Sequence, residues 1–391
     1  VAFFVGADGY ADTFALDGDC SMFDDVVSSS ATDVVSFSTV TVEVEHQWVF
    51  KTSKDVGYVH MSTIEQAGHG GPLAVAFQAT PGSKTEGSDT QSIYLKLSKD
   101  NGITWAPHTV LIKPGFTQAV WGPALSWDKA NEEMVLFFSA SVPENKRGNG
   151  RSYPGGNIYI TRSNGADLLK NWSTPELLLG FRDKQHDDGK PVSKVTANKP
   201  AVDGLNWLLP FWSEAHTKGE TGSSCAGVLL SSDGGKSFTR SKDCLESKEA
   251  GWLIENTISF TGNGTALQFF RTKAGHIWQS FSTDNGASWS MPNATDRLNP
   301  NSKTFLCHGN VSNQLLLSYN PSSKKRDPLA LAMSMDNGLT WKDYAILDQG
   351  GVQNFAYPTT TIANNTAFTV YSADIHTGIR LAKVVLSTNK Q

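Results

Sequence analysis

Four copies of one octapeptide pattern constrain the fold of this 391-residue chain more than any other feature of its sequence. Each copy reads Ser-x-Asp-x-Gly-x-Ser/Thr-aromatic, and the copies begin at Ser98, Ser231, Ser282 and Ser334. An Asp that accepts N–H groups of its own loop, followed by Asn-Gly or Gly-Gly at positions of positive φ, is typical of a tight hairpin turn. Strand-like runs precede the copies at residues 93–97, 226–230, 277–281 and 329–333. We therefore predict four hairpins in which the aromatic side chain folds back onto its sheet.

The spacing of these hairpins indicates a repeated architecture. The hairpin aspartates are 51 residues apart from Asp233 to Asp284 and 52 apart from Asp284 to Asp336. Such a period matches one four-stranded propeller blade. The gap of 133 residues between Asp100 and Asp233 leaves room for one further blade. We place the degraded hairpin of that blade at residues 163–172, where an insertion separates Ser-Asn-Gly from a Trp.

The two ends of the chain complete this scheme. Residues 357–386 have the strand pattern of a sixth blade, which a strand near residues 47–51 would close. Residues 1–45, with strand-like stretches at 1–5 and 34–44, form either an outer decoration or a seventh blade. No linker or low-complexity segment divides the sequence. We expect an all-β fold, a β-propeller of six or seven four-stranded blades, in a single domain over residues 1–391.

Charge and hydropathy exclude several function classes. Charged residues make up 18% of the chain, and the formal net charge is −5. A nucleic-acid partner is not expected, because no basic surplus is present to neutralise phosphates. Apolar residues occur only in short runs, well below the roughly 18 consecutive residues that a membrane-spanning helix needs. We expect a monomer that has neither nucleic acid nor membrane as a partner.

Two signals favour an extracellular protein. The chain starts at Val1 without an initiator Met or an apolar leader, as a processed mature protein would. Five Asn-x-Ser/Thr sequons in polar turn contexts point to a secreted eukaryotic glycoprotein, and they lie at Asn171, Asn263, Asn293, Asn310 and Asn364.

Four cysteines allow three disulfide pairings. The economical pairing joins Cys225 to Cys244 within one hairpin-sized segment and Cys20 to Cys307 across a long span. Four buried free thiols are the alternative, which an oxidising compartment disfavours.

Chemistry in a propeller is expected at the central mouth, where the innermost strand of each blade delivers its side chains. We predict that these strands begin near His60, Trp121, Asn198, Glu255, Cys307 and Tyr357. Candidate site residues on or near them are His60, Glu86, Asp89, Arg151, Tyr153, Lys199, Glu214, Glu255, Arg271, His276, Arg326, His308 and Tyr357. The hairpin aspartates are excluded, because capping of a loop explains each of them. The remaining histidines of polar loops are expected to be solvated, and they are His69, His186, His216 and His376.

Four segments carry a resemblance to a known family. They read Trp207-Leu-Leu-Pro, Asn299-Pro-Asn-Ser, Arg326-Asp-Pro-Leu-Ala-Leu-Ala and Phe355-Ala-Tyr357-Pro. From about residue 56 to the C-terminus the chain resembles the sialidase-like propellers, whose hairpin motif is called the Asp-box. In sialidases three arginines bind the sugar carboxylate, a Tyr is the nucleophile and a Glu polarises that Tyr. The resemblance implies that Arg271 and Arg326 correspond to the second and third arginines, Tyr357 to the nucleophile and Glu255 to its partner.

The first arginine of that set is missing. Sialidases carry it in an Arg-Ile-Pro motif on the first inner strand, where this chain has His60-Met-Ser-Thr-Ile. A titratable imidazole in place of a guanidinium indicates different chemistry, although Arg271 and Arg326 still favour an acidic sugar.

One reaction uses this residue set directly, namely β-elimination at a uronic acid. The C5 proton can be removed only when the carboxylate charge is neutralised, and the departing oxygen needs an acid. Arg271 and Arg326 could neutralise the carboxylate, and His60 could be base or acid with Tyr357 as its counterpart. A secreted fungal group of sialidase-like propellers, the L-rhamnose-α-1,4-D-glucuronate lyases that act on gum arabic side chains, is similar to this chain in size, secretory character and Asp-box layout.

Alternatives remain open at this point. An exo-glycoside hydrolase of the sialidase type would use Tyr357 with Glu255, and a glycan-binding propeller without catalysis is the third class. His60 could instead be a hydrogen-bonded structural residue, Tyr357 a core aromatic, and the two arginines partners in ordinary ion pairs. The sequence requires no cofactor. It has no Cys/His metal spacing, whereas an oxygen-ligated calcium site would leave no signature.

Overall fold

A computed structural model describes residues 42–114, 118–163, 171–217, 220–350, 354–374 and 376–386, without the side chains of 215–217 and 220–223. These residues form strands and turns, and no helix among them is long and apolar enough to span a membrane. The strands assemble into six antiparallel sheets, each of which is one blade of a β-propeller. The all-β prediction is therefore confirmed. Residues 1–41 lie outside the described ranges, and with them the predicted decoration or seventh blade.

The described part of the chain begins with one strand, which is followed by three blades. This strand is β1 (Val44–Lys51). The first blade consists of β2 (Val56–Gln66), β3 (Leu73–Pro81), β4 (Ser92–Ser98) and β5 (Thr109–Ile112). The second blade consists of β6 (Val120–Asp128), β7 (Glu133–Ala140), β8 (Asn157–Arg162) and β9 (Glu176–Leu179). The third blade consists of β10 (Ser193–Thr196), β11 (Ala201–Asp203), β12 (Asn206–Thr217), β13 (Glu220–Ser231) and β14 (Thr239–Arg240).

Three further blades complete the propeller. The fourth consists of β15 (Ile254–Phe260), β16 (Ala266–Arg271), β17 (His276–Ser282) and β18 (Asn293–Leu298). The fifth consists of β19 (Phe305–His308), β20 (Leu315–Tyr319), β21 (Leu329–Ser334) and β22 (Lys342–Asp348). The sixth consists of β23 (Ala356–Ala363), β24 (Thr366–Ala373) and β25 (Gly378–Val385), and β1 is its outer strand. β1 pairs antiparallel with β25, so the predicted closing strand near residues 47–51 is confirmed.

Three inner strands depart from the predicted starting points. In the first blade, β2 begins at Val56, four residues before the predicted start at His60. In the third blade, β10 and β11 both pair with β12 and are interrupted at residues 197–200, where Pro200 has no N–H to donate. Asn198 lies in that interruption. In the fifth blade, β19 begins at Phe305, two residues before the predicted start at Cys307. Lys303 and Thr304 consequently precede the strand at its mouth end.

The core lies between the blades. β3 is buried along eight of its nine residues, whereas all six residues of the outer strand β18 are exposed or only partly buried. Neighbouring blades cover the inner strands on both faces, and Phe137 of the second blade packs against Trp207 of the third with ring centroids 6.4 Å apart. The near-continuous apolar runs of the second strands, such as β7 and β20, fit this burial on both faces.

The four predicted hairpins are confirmed at the turns between the third and fourth strands of their blades. In the copy at Asp284, its carboxylate accepts hydrogen bonds from Ser282 Oγ at 2.8 Å, Ser288 N at 2.9 Å and Ser288 Oγ at 2.6 Å. Trp289 folds back so that its Nε1 donates to Gly286 O at 3.0 Å. In the first copy, hydrogen bonds from Thr104 are the main cause that lowers the pKa of Asp100 to about 2.

One of the two predicted disulfides is present. Cys225 and Cys244 are bonded, and they join β13 to the segment that follows β14. Cys20 lies outside the described residues, so its pairing with Cys307 stays a prediction. The degraded hairpin of the second blade shows an antiparallel bridge between Ser163 and Trp172, which flank the undescribed residues 164–170. All five sequon asparagines have exposed side chains.

Candidate active site at the start of the inner strands

A shared backbone feature marks the mouth of the propeller. Four inner strands contain a β-bulge, and each bulge holds one residue at positive φ, namely Met61, Gly122, Glu255 and Tyr357 at 51°, 53°, 48° and 60°. Bulges redirect side chains, and positive φ is costly for any residue but Gly, so such positions cluster at functional sites. Three of these bulges contain or adjoin residues of the site described below, namely His60, Glu255 and Tyr357.

Tyr357 is at the centre of the group. Its hydroxyl oxygen accepts a hydrogen bond from Arg271 Nη1 at 2.5 Å, and its ring centroid lies 4.1 Å from that of His60. The guanidinium carbons of Arg271 and Arg326 lie 5.9 and 5.4 Å from the Tyr357 ring centroid. Only 3% of Tyr357 is exposed. The fold thus brings two cations and an imidazole to one phenol.

The two arginines are held by different neighbours. Arg271, at the end of β16, forms a buried ion pair with Glu255, with 3.0 Å between Nη1 and Oε2. Its Nε donates to Asn301 Oδ1 at 2.7 Å. Arg326, in the loop between β20 and β21, donates from Nη2 to the backbone oxygen of Asn301 at 2.6 Å. Both guanidinium groups are therefore fixed before any ligand binds.

His60 is a buried imidazole that is held in the neutral form. It is 3% exposed, and its Nδ1 lies 2.8 Å from Ser372 Oγ, which leaves Nε2 without a hydrogen-bond partner among the described residues. Burial is the main cause that holds the pKa of His60 well below its usual value. Four positive groups act in the same direction, and they are His376, Arg326, Lys303 and Arg271. A neutral imidazole nitrogen in such a position can accept a proton.

Two residues of this cluster were not expected from the sequence. His376 was predicted to be solvated, but this is wrong, because it is only partly exposed and its ring centroid lies 4.0 Å from that of His60. Lys303 is fully buried, and its Nζ donates to Pro358 O at 2.7 Å and Thr359 Oγ1 at 3.0 Å. Burial lowers the pKa of Lys303 to about 7, while the charge of Glu255 opposes the shift.

The sequence held a weak signal for Lys303 and none for His376. Lys303 directly follows the Asn299-Pro-Asn-Ser segment and precedes an inner strand. The other candidates were assigned to the mouth because they also lie on or near inner strands. His376 comes from the loop between β24 and β25, and its proximity to the first inner strand depends on closure of the ring.

A second carboxylate lies near this group on the third blade. Burial raises the pKa of Glu214 to about 7, and the positive charges of Lys273, Arg147 and Arg271 partly offset this shift. Trp252, from the loop before β15, lies under two of these cations, with its ring centroid 3.9 Å from Lys273 Nζ and 5.5 Å from Arg271 Cζ. Sequence reasoning included Glu214 and missed Trp252.

The other predicted binding residues have individual surroundings. Glu86 accepts a hydrogen bond from Gln78 Nε2 at 3.2 Å, and Asp89 forms an ion pair at 2.8 Å with Lys146, with a side chain that is 58% exposed. Tyr153 packs under the guanidinium of Arg147 at 5.1 Å.

Arg151 is half-buried two residues before Tyr153, and its backbone N donates to Asn149 Oδ1 at 3.1 Å. Lys199 forms a 2.7 Å ion pair with Glu65 and also donates to Ile64 O, so these contacts tie it to the first inner strand.

Two predicted histidines do not join the cluster around Tyr357. His276 begins the third strand of its blade, and its Nδ1 lies 3.3 Å from Ala274 O. His308 is exposed at the far end of β19 and contacts Gly309 O and Ser312 O at 2.9 and 3.1 Å. Within the described ranges, no three His, Cys, Asp or Glu side chains come close enough to hold a metal ion.

Comparisons with known proteins agree with this geometry at the level of the fold. The family model for the BNR repeat-like domain matches residues 71–370. A Hadza microbial sialidase is 18% identical with a TM-score of 0.66, over 84% of this chain and 66% of that one. A protein of unknown function from Dyadobacter fermentans has 15% identity and a TM-score of 0.69, over 88% and 99% of the two chains.

An intramolecular trans-sialidase from Ruminococcus gnavus, solved with oseltamivir carboxylate, has 13% identity and a TM-score of 0.66, over 86% and 96% of the two chains. No curated protein matches this chain. Identities this low establish the common propeller fold alone.

Proposed function

Because the chain belongs to the BNR repeat-like domain family, and because its site places a neutral imidazole beside a tyrosine and two arginines, we propose that it is a lyase. The proposed reaction is exo-acting β-elimination, which removes terminal L-rhamnose from glucuronic acid in gum arabic-type side chains. The protein would act as a secreted, glycosylated monomer. Five exposed sequons and the Cys225–Cys244 disulfide support the extracellular setting.

The observation that carries the proposal is the pairing of His60 with Tyr357. Elimination at C4 and C5 of a D-glucuronate ring removes groups from the same side, since the C5 proton is axial and the C4 oxygen is equatorial. Base and acid must then approach from one face, and the two rings lie 4.1 Å apart. Burial keeps the pKa of His60 low, so the imidazole is neutral and able to act as the base at pH 7.

The proposed step balances as follows. Arg271 and Arg326 neutralise the carboxylate, which stabilises the enediolate that forms when His60 Nε2 takes the C5 proton. The electron pair forms the C4–C5 double bond, and the C4–O bond breaks. Tyr357 donates a proton to the departing oxygen, which leaves as the anomeric hydroxyl of rhamnose. The products are free rhamnose and a 4,5-unsaturated glucuronate.

A second candidate function is supported by a different observation. Tyr357 accepts a hydrogen bond from Arg271, which is ion-paired with Glu255. A Tyr, an Arg and a Glu in contact also suit an exo-glycoside hydrolase of the sialidase type, in which Tyr357 attacks the anomeric carbon. The missing first arginine weakens that reading, because His60 occupies its place.

The test follows a rhamnosyl-glucuronate oligosaccharide by ultraviolet absorbance, with free rhamnose assayed in parallel in water enriched in oxygen-18. Elimination predicts rising absorbance and rhamnose without the heavy isotope at short times, because the C4–O bond breaks. Sugar release without absorbance, with the isotope in rhamnose, would overturn elimination in favour of hydrolysis. If neither absorbance nor free rhamnose appears, this substrate is rejected and sialosides are tested next. A non-catalytic glycan-binding propeller is then the remaining class.

Two variants complete the design. His60→Asn is expected to lose activity by about 10²–10⁴-fold, the usual contribution of a general base. His69→Asn is the matched control, since His69 is exposed in the turn between β2 and β3. Full turnover in a folded His60→Asn protein would remove His60 from the mechanism.

A further inference from the structure

The segment of residues 299–303, which precedes β19, has no role in the reaction as described above. Its first residue, Asn299, closes it into a turn through two hydrogen bonds. Asn299 Nδ2 donates to Ser302 O at 2.8 Å, and Ser302 N donates to Asn299 Oδ1 at 3.0 Å. Asn299 N also donates to Gly275 O of the fourth blade at 2.9 Å. Asn301 lies inside this closed turn at a φ of 55°. The turn therefore presents Asn301 from a fixed backbone.

Asn301 binds both arginines of the site with two different oxygens. Its side-chain Oδ1 accepts from Arg271 Nε at 2.7 Å, and its backbone oxygen accepts from Arg326 Nη2 at 2.6 Å. The two arginines come from different blades, and they are only 2% and 7% exposed. One residue thus contacts two guanidinium groups that come from different blades and helps to set the orientation of both.

The chemical nature of this residue matters as much as its position. A guanidinium recognises a carboxylate through a planar pair of N–H groups, so its plane must be fixed for a strong interaction. An amide oxygen and a backbone oxygen can fix that plane without adding a negative charge. An Asp or Glu at this position would fix the plane equally well but would compete with an anionic ligand for the same positive charge.

We propose that Asn301 is a positioning residue that orients Arg271 and Arg326 towards the carboxylate of an acidic sugar while adding no negative charge of its own. This inference rests on the proposed function only in assuming a carboxylate ligand. It needs neither the lyase reaction nor the rhamnose group.

The test compares binding of a sugar acid with binding of its uncharged amide by calorimetry or NMR titration. The probes are D-glucuronate, D-glucuronamide and N-acetylneuraminate. Asn301→Gly removes Oδ1 but keeps the backbone oxygen and tolerates positive φ. Asn285→Gly is the matched control, because Asn285 has a φ of 54° in an outer hairpin, away from the arginines. Thermal unfolding checks that both variants are folded.

The wild-type protein is expected to prefer glucuronate over glucuronamide, and Asn301→Gly is expected to reduce that preference by about tenfold, the loss of one charge-assisted hydrogen bond. Asn285→Gly should leave it unchanged. A structural role alone would weaken acid and amide binding equally, so an unchanged preference in a folded Asn301→Gly protein would overturn the proposal. If Asn301→Gly does not fold, Asn301→Asp replaces it, and an unchanged preference there is equally fatal.

The probes separate this proposal from the proposed function. If the wild-type protein binds N-acetylneuraminate but not glucuronate, the lyase proposal fails, and Asn301 is tested with N-acetylneuraminate against its amide. If neither acid binds better than its amide, no carboxylate clamp exists for Asn301 to orient, and the positioning role is overturned.

Discussion

Replacement of Glu255 by Gln tests the central ion pair of the site. Glu255 and Arg271 have side chains that are 7% and 2% exposed, with 3.0 Å between Oε2 and Nη1. Gln keeps the shape of the side chain and one acceptor but removes the charge, so a buried guanidinium loses its counter-charge. Breaking a buried pair in this way costs about 3–5 kcal/mol, and the retained acceptor places the expected loss near 3 kcal/mol.

That loss converts to a shift in the unfolding midpoint. At roughly 2 cal/mol/K per residue, a chain of 391 residues has an unfolding entropy of about 0.8 kcal/mol/K, so about 3 kcal/mol lowers the midpoint by about 4 °C. Glu255 also opposes the shift that lowers the pKa of Lys303 to about 7, so Glu255→Gln should lower this pKa further.

The assay is thermal unfolding followed by circular dichroism at pH 7, with turnover measured on the same samples. Glu45→Gln is the control, since Glu45 pairs with Lys383 but its side chain is 65% exposed. Exposed pairs contribute about 0–1 kcal/mol, so this midpoint should hardly move. Equal midpoints for Glu255→Gln and Glu45→Gln would refute the reasoning. A lyase could retain much of its activity in Glu255→Gln, whereas a Tyr-nucleophile hydrolase should lose most of it.

Three further predictions follow from the same contacts. His60 has a pKa well below 6.5 in the folded protein, so at this residue the native state binds fewer protons than the unfolded chain. The native state therefore loses stability as pH falls through 6.5. His60→Asn should remove that part of the acid sensitivity, as measured by thermal melts at a series of pH values. Lys303 has a folded pKa of about 7 against 10.5 unfolded, so its contribution to stability rises with pH from about 7 to 10.5, and Lys303→Met should flatten that slope. Replacing Cys225 and Cys244 together by Ser opens a loop with a sequence separation of 19 and should cost about 3 kcal/mol in denaturant unfolding.

Each of these has an outcome that would contradict it. If the stability of His60→Asn and of the wild type falls equally as pH is lowered, the imidazole is protonated to the same extent in the folded and unfolded chains near pH 6. An unchanged alkaline slope in Lys303→Met would place the folded pKa of that ammonium near its ordinary value. A denaturation midpoint unaffected by reduction would mean that the disulfide constrains little of the unfolded chain.

The sequence by itself determined the repeated hairpins and, through their period, the propeller. In these turns Asp284 and its three equivalents bind groups only two to four residues away, so the octapeptide contains all the chemistry that it needs. The blade with the degraded hairpin and the closing strand β1 were predictable for the same reason, because the repeat length leaves few other arrangements. The arginines, Tyr357, Glu255 and His60 came from a family resemblance and from their position on inner strands.

Only the tertiary structure decided how these residues meet. The contact between Arg271 and Tyr357 spans 86 residues, and that between His60 and Ser372 spans 312. No local pattern encodes such distances, because they depend on ring closure and on bulges that turn the inner strands. Lys303, His376 and Asn301 escaped attention for this reason, since their importance comes from neighbours that are distant in sequence. Short-range hydrogen bonds set the blades, and packing of the blades around one axis created the site.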